Sequence, residues 1–241
     1  MNGFTYLVLG PILVAGSHGP RSPGGPTTRA VLASLMLQAN RAVTYDRLIQ
    51  DVWGDDGWDL DPHALQSHIT RLRKRLGADR VLQVNGSYQL VAAPDEVDAS
   101  RFEILVEQAA QETMPDQRRQ ICKQAIDLWR GRPYGDLADR EFLQLEVRRL
   151  EEVRMEAVEA WFAADLELGR HREVLGNLRS AVTEFPFDER IWEFYLVALR
   201  ESGRHAEALR AYEELETMLR DELAIEPPQK LRELRASIAA D

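Results

Sequence analysis

A single cysteine, Cys122, stands in the 241 residues. That excludes an internal disulfide and any cysteine-rich zinc module, and it suits a reducing compartment. No apolar run approaches the roughly 18 residues of a membrane-crossing helix. The apolar stretch from Phe4 to Ala15 lacks a basic segment before it and is broken by Gly10-Pro11. It therefore reads as strand, turn and strand, not as a signal peptide, and a cytoplasmic protein is expected. Catalytic sets are equally scarce. There is no HExxH, and no Ser/His/Asp or Cys/His grouping is readable. His63 and His68 point about 140° apart on a helix and cannot share a metal. GPRSPGGPTTR looks like a phosphate loop, but Gly25 stands where the lysine belongs. No enzyme, metal or cofactor is expected.

What is present is ordinary for a globular chain: 44% hydrophobic and 29% charged residues. The net charge of −10 and pI near 5.1 conceal an asymmetry. Residues 1–93 hold nine basic and seven acidic residues, a net of +2, which leaves −12 on the remainder. Halves of opposite sign suggest different partners. Positive charge is densest in HALQSHITRLRKRLG, residues 63–77, where four of the five residues 71–75 are basic.

The first half mixes periods. FTYLVLG and PILVAG have the pattern of short strands, and SHGPRSPGGP is a turn-rich loop. Apolar residues at helical spacing over 30–37 predict a helix, with Thr27 or Thr28 as its N-cap. A second helix is expected after Thr44, with Leu48, Ile49 and Val52 inward. GDDGWDLDP reads as a loop, ended by Asp61 as N-cap and Pro62 at the first helical position. A third helix should run to Leu76 and stop at Gly77. VLQVNGSYQLV places two β-like runs around Asn85-Gly86, a hairpin turn signal. Helices two and three with the hairpin make a winged helix-turn-helix. APDEVDAS is the expected junction, which divides the chain into 1–93 and 94–241.

From Ala99 onward the pattern is helical throughout. LGRHREVL and SGRHAEAL repeat, with Gly169 and Gly203 34 residues apart, the period of tetratricopeptide helix pairs. Trp161 falls on Tyr195, Ala164 on Ala198 and Leu175 on Leu209. Each Gly-Arg-His is expected between two helices, with His171 and His205 as caps. The fold class is mainly α: an α+β winged helix followed by an all-α helical-repeat domain.

On a helical wheel Leu65, Ile69, Leu72 and Leu76 form one narrow stripe, and Lys74 lies about 180° from Leu65. His63, Ser67 and Thr70 share that far face, flanked by Gln66 and Arg71. Arg73 and Arg75 sit nearer the stripe, one on each side. A recognition helix needs this combination: short polar groups and cationic forks read base edges, and flanking cations hold phosphates.

These residues resemble a known family. RAVLASLML, VTYDRLIQDVWGDD and LQSHITRLRKRLG with its Tyr-ended hairpin are similar to the response-regulator type of winged helix. With VLGPILV, FEILVEQA, DLWRGRPYGDLAD, SGRHAEALRAYEEL and ELAIEPPQKLREL, nearly the whole chain resembles a Streptomyces antibiotic regulatory protein. Such a protein fuses a DNA-binding domain to a bacterial transcriptional activation domain. The resemblance implies activation of a secondary-metabolite gene cluster. It implies binding of direct repeats upstream of promoters, as a dimer on DNA, and recruitment of RNA polymerase through its sigma and alpha subunits. Carried over, the DNA-facing positions are His63, Gln66, Ser67, Thr70, Arg71, Arg73 and Lys74, with Asn85 and Ser87 on the wing. The loop over 54–61 matches the polymerase-touching segment of related regulators. It carries Asp55, Asp56 and Asp59, with Asp61 as a cap. Trp53 is expected in the core, while Trp58 fits either core or contact. The wing departs from the family: Ser87 precedes Tyr88 where glycine is common, and Asn85 replaces a basic residue or proline. Neither a nucleotide-binding nor a receiver domain is visible in these 241 residues, so the short form is expected. Two rival readings remain open, a helical-repeat protein-interaction adaptor and a DNA-binding repressor.

Overall fold

The computed structural model describes residues 6–15, 19–59 and 63–240. It divides into two units, Met1–Val106 with Gln124–Arg154, and Glu107–Lys123 with Met155–Asp241.

In the first unit the N-terminal strands are shorter than the alternation suggests. β1 (Tyr6–Leu7) pairs antiparallel with β2 (Leu13–Val14), with Tyr6 opposite Val14 and Leu7 opposite Leu13. α1 spans Pro26–Leu37 and is entered through Gly25, with Pro26 in its first turn. Neither Thr27 nor Thr28 caps it. Proline at that position tolerates the loss of an N–H that would have no partner anyway, and Thr28 is buried for another purpose. α2 (Tyr45–Trp53) starts where expected, and the Thr44 hydroxyl accepts from the Arg47 amide at 3.2 Å. The segment read as an open loop is instead a 3-10 helix, Gly54–Asp59. It is tight because Gly57 lies against α2: a Cβ there would come within 2.5 Å of the Ile49 side chain. The expected Asp61 cap and Pro62 start lie outside the described residues.

α3 (His63–Leu76) packs on α1 through Leu65, Ile69 and Leu72. Each such burial stabilises by about 2 kcal/mol. Gly77 ends the helix at φ +112°, where its amide still reaches the Arg73 carbonyl at 2.9 Å. β3 (Val81–Val84) and β4 (Ser87–Leu90) form the hairpin, with Val84 opposite Ser87. Asn85 and Gly86 both take positive φ, +50° and +79°, as a two-residue turn of this hand requires. Tyr88 and Val43 exchange backbone bonds at 2.7 and 2.9 Å, which fastens the wing to the strand-like entry of α2.

The first unit continues beyond the hairpin. It takes in the start of α4 (Asp98–Gln111), the end of α5 (Pro115–Ile126) and the first half of α6 (Glu141–Glu167). Asp98 is buried and accepts from the Val8 and Leu9 amides at 2.8 and 3.2 Å and from Arg130 at 3.1 Å. The Leu9 and Val8 carbonyls accept in turn from the Arg130 and Tyr134 amides at 2.7 and 2.8 Å. Arg140 donates to the Val52 carbonyl in the last turn of α2 at 3.2 Å.

The second unit holds α7 (His171–Glu184), α8 (Glu189–Glu201), α9 (His205–Leu223) and α10 (Gln229–Ala240). The 34-residue repeat is visible in its backbone bonds. Gly169 and Gly203 sit at φ +70° and +75°. Their amides reach the Leu166 and Arg200 carbonyls at 2.9 and 2.8 Å, and the next amides, Arg170 and Arg204, reach those of Asp165 and Leu199 at 3.0 and 2.9 Å. Ala164 and Ala198 are both fully buried. His171 and His205 are not caps: each is the first residue of its helix, and Arg170 and Arg204 hold the cap position without a side-chain cap bond.

Candidate nucleic-acid interface

α3 displays on one side what its wheel implies. His63, Gln66, Ser67, Thr70, Arg71, Lys74 and Arg75 are exposed, and Arg73 is half-buried. The hydroxyls are partly committed. Ser67 donates to the Ala64 carbonyl and Thr70 to the Gln66 carbonyl, both at 2.9 Å. A hydroxyl has one proton, so each of these two keeps only acceptor lone pairs for a further partner. The His63 Nδ1 and Gln66 Oε1 atoms lie 3.0 Å apart. An amide oxygen only accepts, so in this arrangement His63 donates and the Gln66 amino group remains the donor end.

Arg73 differs from its neighbours. Its Nε donates to the Val81 carbonyl at 2.8 Å, tying α3 to the first residue of the wing. Arg71 instead leans on His68, with 3.3 Å between Nη1 and Nδ1. The same His68 nitrogen lies 2.9 Å from the Thr28 hydroxyl of α1. Because the guanidinium can only donate, Nδ1 is the acceptor and the imidazole is neutral. Its environment agrees: burial first, then the Arg71 charge, lowers the His68 pKa from its ordinary value. The Trp53 ring packs beside it, with centroids 5.9 Å apart. Trp53 is half-buried, as part of this packing. Lys74 and Arg75 have no ion-pair or hydrogen-bond partner among the described residues.

Sequence reading did not single out His68 or Thr28 as a pair. A signal existed for His68, which falls about 60° from Leu65 on the wheel, at the edge of the apolar stripe. A polar residue there faces a neighbouring helix as readily as water.

On the wing, Asn85 is exposed at the tip and Ser87 is half-buried beside it. Asn85 fills a turn position that requires positive φ. Asparagine tolerates this better than the basic residue or proline common there. Of the acidic loop, Asp55 and Asp56 are exposed at the start of the 3-10 segment. The side chains of Trp58 and Asp59 lie outside the described residues.

This is a winged helix-turn-helix joined to a tetratricopeptide-like helical domain, an architecture of DNA-binding transcriptional regulators. Residues 21–87 match the family "Transcriptional regulatory protein, C terminal". Residues 97–239, more than half of the chain, match the "Bacterial transcriptional activator domain". The regulatory protein DnrI of Streptomyces peucetius is 32% identical over 96% of this chain and 90% of its own. The regulatory protein AfsR of Streptomyces griseus is 30% identical over 97% of this chain, which spans only 24% of that protein. Among solved structures, Mycobacterium tuberculosis EmbR in complex with a low-affinity phosphopeptide superposes with a TM-score of 0.83. It is 29% identical over 98% of this chain and 64% of that one. The chain belongs to the Streptomyces antibiotic regulatory protein family of transcriptional regulators, with an OmpR-type winged helix and a bacterial transcriptional activator domain.

Proposed function

We propose that the protein activates transcription of a secondary-metabolite gene cluster by binding direct repeats in promoter DNA and recruiting RNA polymerase. Residues 1–93 form the DNA-binding part and residues 94–241 the activating part. α3 enters the major groove, where Gln66, Ser67, Thr70 and Arg71 meet base edges. His63 and Lys74 lie along the same face toward phosphates, Arg73 flanks that face nearer the apolar stripe, and Asn85 and Ser87 approach the backbone beyond. Two copies side by side need half-sites about 10–10.5 bp apart, one helical turn. The exposed Asp55 and Asp56, with Trp58 and Asp59 next to them in sequence, make up the polymerase contact, with sigma and alpha subunits as the expected partners. The net −12 on residues 94–241 keeps that part off DNA, because phosphates repel it.

The observation that carries this reading is the exposed face of α3, where Lys74 and Arg75 are uncommitted and Arg71 is braced by His68. Arg71→Ala and Lys74→Ala test it. An Arg71 that reads a base should cost about 1–3 kcal/mol on cognate DNA and relax specificity. A Lys74 that meets phosphate should weaken all sequences and lower the salt slope by about 1. Equal losses on cognate and scrambled DNA in both variants would refute the Arg71 assignment. Transcription with purified polymerase separates an activator, which raises initiation, from a repressor, which blocks it.

A further inference from the structure

In the second unit α7, α8 and α9 border a cavity of about 530 Å³. That is within the range of small-molecule sites, which combine apolar walls with a few convergent polar groups. Tyr195 supplies aromatic surface, and Trp192, only 5% exposed, backs it with ring centroids 6.3 Å apart. The indole N–H of Trp192 already donates to the Pro186 carbonyl at 2.7 Å, so it is not a donor to the cavity. The Tyr195 hydroxyl has no hydrogen bond among the described residues.

The charged members are unevenly committed. Arg179 from α7 and Arg210 from α9 line the cavity without an ion-pair partner among the described residues. Glu207 is held elsewhere: Arg204 grips both of its oxygens, at 2.7 and 2.5 Å. Arg179 and Arg210 both border this cavity together with Tyr195 and Glu207. Glu214 is the remaining carboxylate on the lining, and it disfavours a ligand that is anionic along its whole length. In a half that carries −12, two uncommitted guanidiniums beside an aromatic pair are a local exception.

We propose that this cavity binds a small organic anion. Its flat apolar body lies against Tyr195, and its single carboxylate or phosphate end lies between Arg179 and Arg210. Guanidinium forks match such oxyanions in geometry and charge, and Tyr195 supplies a further donor. The site shares no residue with α3 or the wing, so it stands independently of how DNA is read.

Calorimetric titration of the full chain with phenyl phosphate tests the proposal, with benzyl alcohol as a neutral control of similar body. We expect saturable one-to-one binding of phenyl phosphate and none of benzyl alcohol. Arg179→Gln and Arg210→Gln should each weaken binding about tenfold. Arg172→Gln, at an exposed arginine of α7 outside the lining, should leave it unchanged. The substituted arginines are exposed, and circular dichroism verifies that the variants keep their helices. Absence of saturable binding, equal affinity for benzyl alcohol, or undiminished affinity in the Arg179/Arg210 double variant would overturn the proposal.

Discussion

Replacing Asp98 by alanine tests the physical frame that carries the recognition helix. The carboxylate is 1% exposed and serves three donors: the Val8 amide, the Leu9 amide and Arg130. Alanine strands the two amides in a buried place, at about 1–3 kcal/mol each. Arg130 suffers less, since its side chain is 30% exposed and keeps a bond to the Pro11 carbonyl at 3.2 Å. Relief from burying a charge offsets part of the loss. A net destabilisation of about 3 kcal/mol follows, which lowers the melting temperature by roughly 6–12 °C in a chain of this size. An asparagine side chain would keep one acceptor and lose the other, so Asp98→Asn should fall between. The pH dependence has a definite sign. Burial raises the Asp98 pKa above its ordinary 3.8, against the pull of its donors. The folded state therefore holds the proton more tightly than the unfolded one. Its contribution is full below about 3.8 and is lost as pH rises through the raised value. The wild type's margin over Asp98→Asn should thus be larger near pH 4 than at pH 7, read by thermal melting. A change in melting temperature under about 2 °C for Asp98→Ala would sink the argument.

Other perturbations separate further parts of the structure. His68→Leu keeps an apolar body beside Trp53 but removes the brace on Arg71. Affinity for cognate DNA should fall by about 1 kcal/mol, roughly fivefold, with little change on scrambled DNA, by fluorescence anisotropy. His68 titrates with the opposite sign to Asp98: its lowered pKa makes its contribution full above about 6.5 and lost as pH falls through the folded value. Wild-type stability should therefore drop more than that of His68→Leu between pH 7.5 and 5.5. Gly203→Ala meets nothing within 4 Å and bears only the cost of φ +75°, about 1 kcal/mol. Gly135→Ala should cost clearly more by chemical denaturation, because at φ +57° its Cβ would also lie 2.9 Å from Pro11 Cα. Asp55→Asn with Asp56→Asn should leave DNA affinity intact and reduce initiation with purified polymerase; unchanged initiation would remove the acidic surface from the mechanism.

The parts legible in the sequence are those in which neighbours along the chain decide the outcome. The stripe of Leu65, Ile69 and Leu72 is a local period, the Thr44 cap acts three residues away, and Asn85-Gly86 sets its own turn. The 34-residue repeat is a comparison of the chain with itself. What was not legible depends on partners far away. Thr28 has the chemistry of a cap, yet its hydroxyl goes to His68, 40 residues on. Arg73 is DNA-facing by pattern, but its Nε is spent on Val81 of the wing. The segment after α2 has a loop's composition, and only the contact of Gly57 with Ile49 makes it a tight 3-10 turn. No periodicity announces that Asp98 belongs beneath Val8 and Leu9.

That last contact bears on where the DNA-reading body ends. A boundary at 93 and 94 follows composition, and the two family matches fall on either side of it. Physically, however, the turn from Val8 to Pro11 is held from beyond that boundary. Two of its amides, those of Val8 and Leu9, go to Asp98, and its carbonyls accept from Arg130 and Tyr134. Leu9 and Ile12 are almost fully buried. Residues 1–93 alone would return these bonds to water at little cost, but they would also expose that apolar surface, which nothing replaces. The helices are fastened in the same way: Arg29 of α1 pairs with Asp136 at 2.6 Å, and Arg140 meets the end of α2. The scaffold that orients α3 thus includes the first segments of the activator domain. Whatever shifts residues 124–154 acts directly on the elements against which the recognition helix is packed.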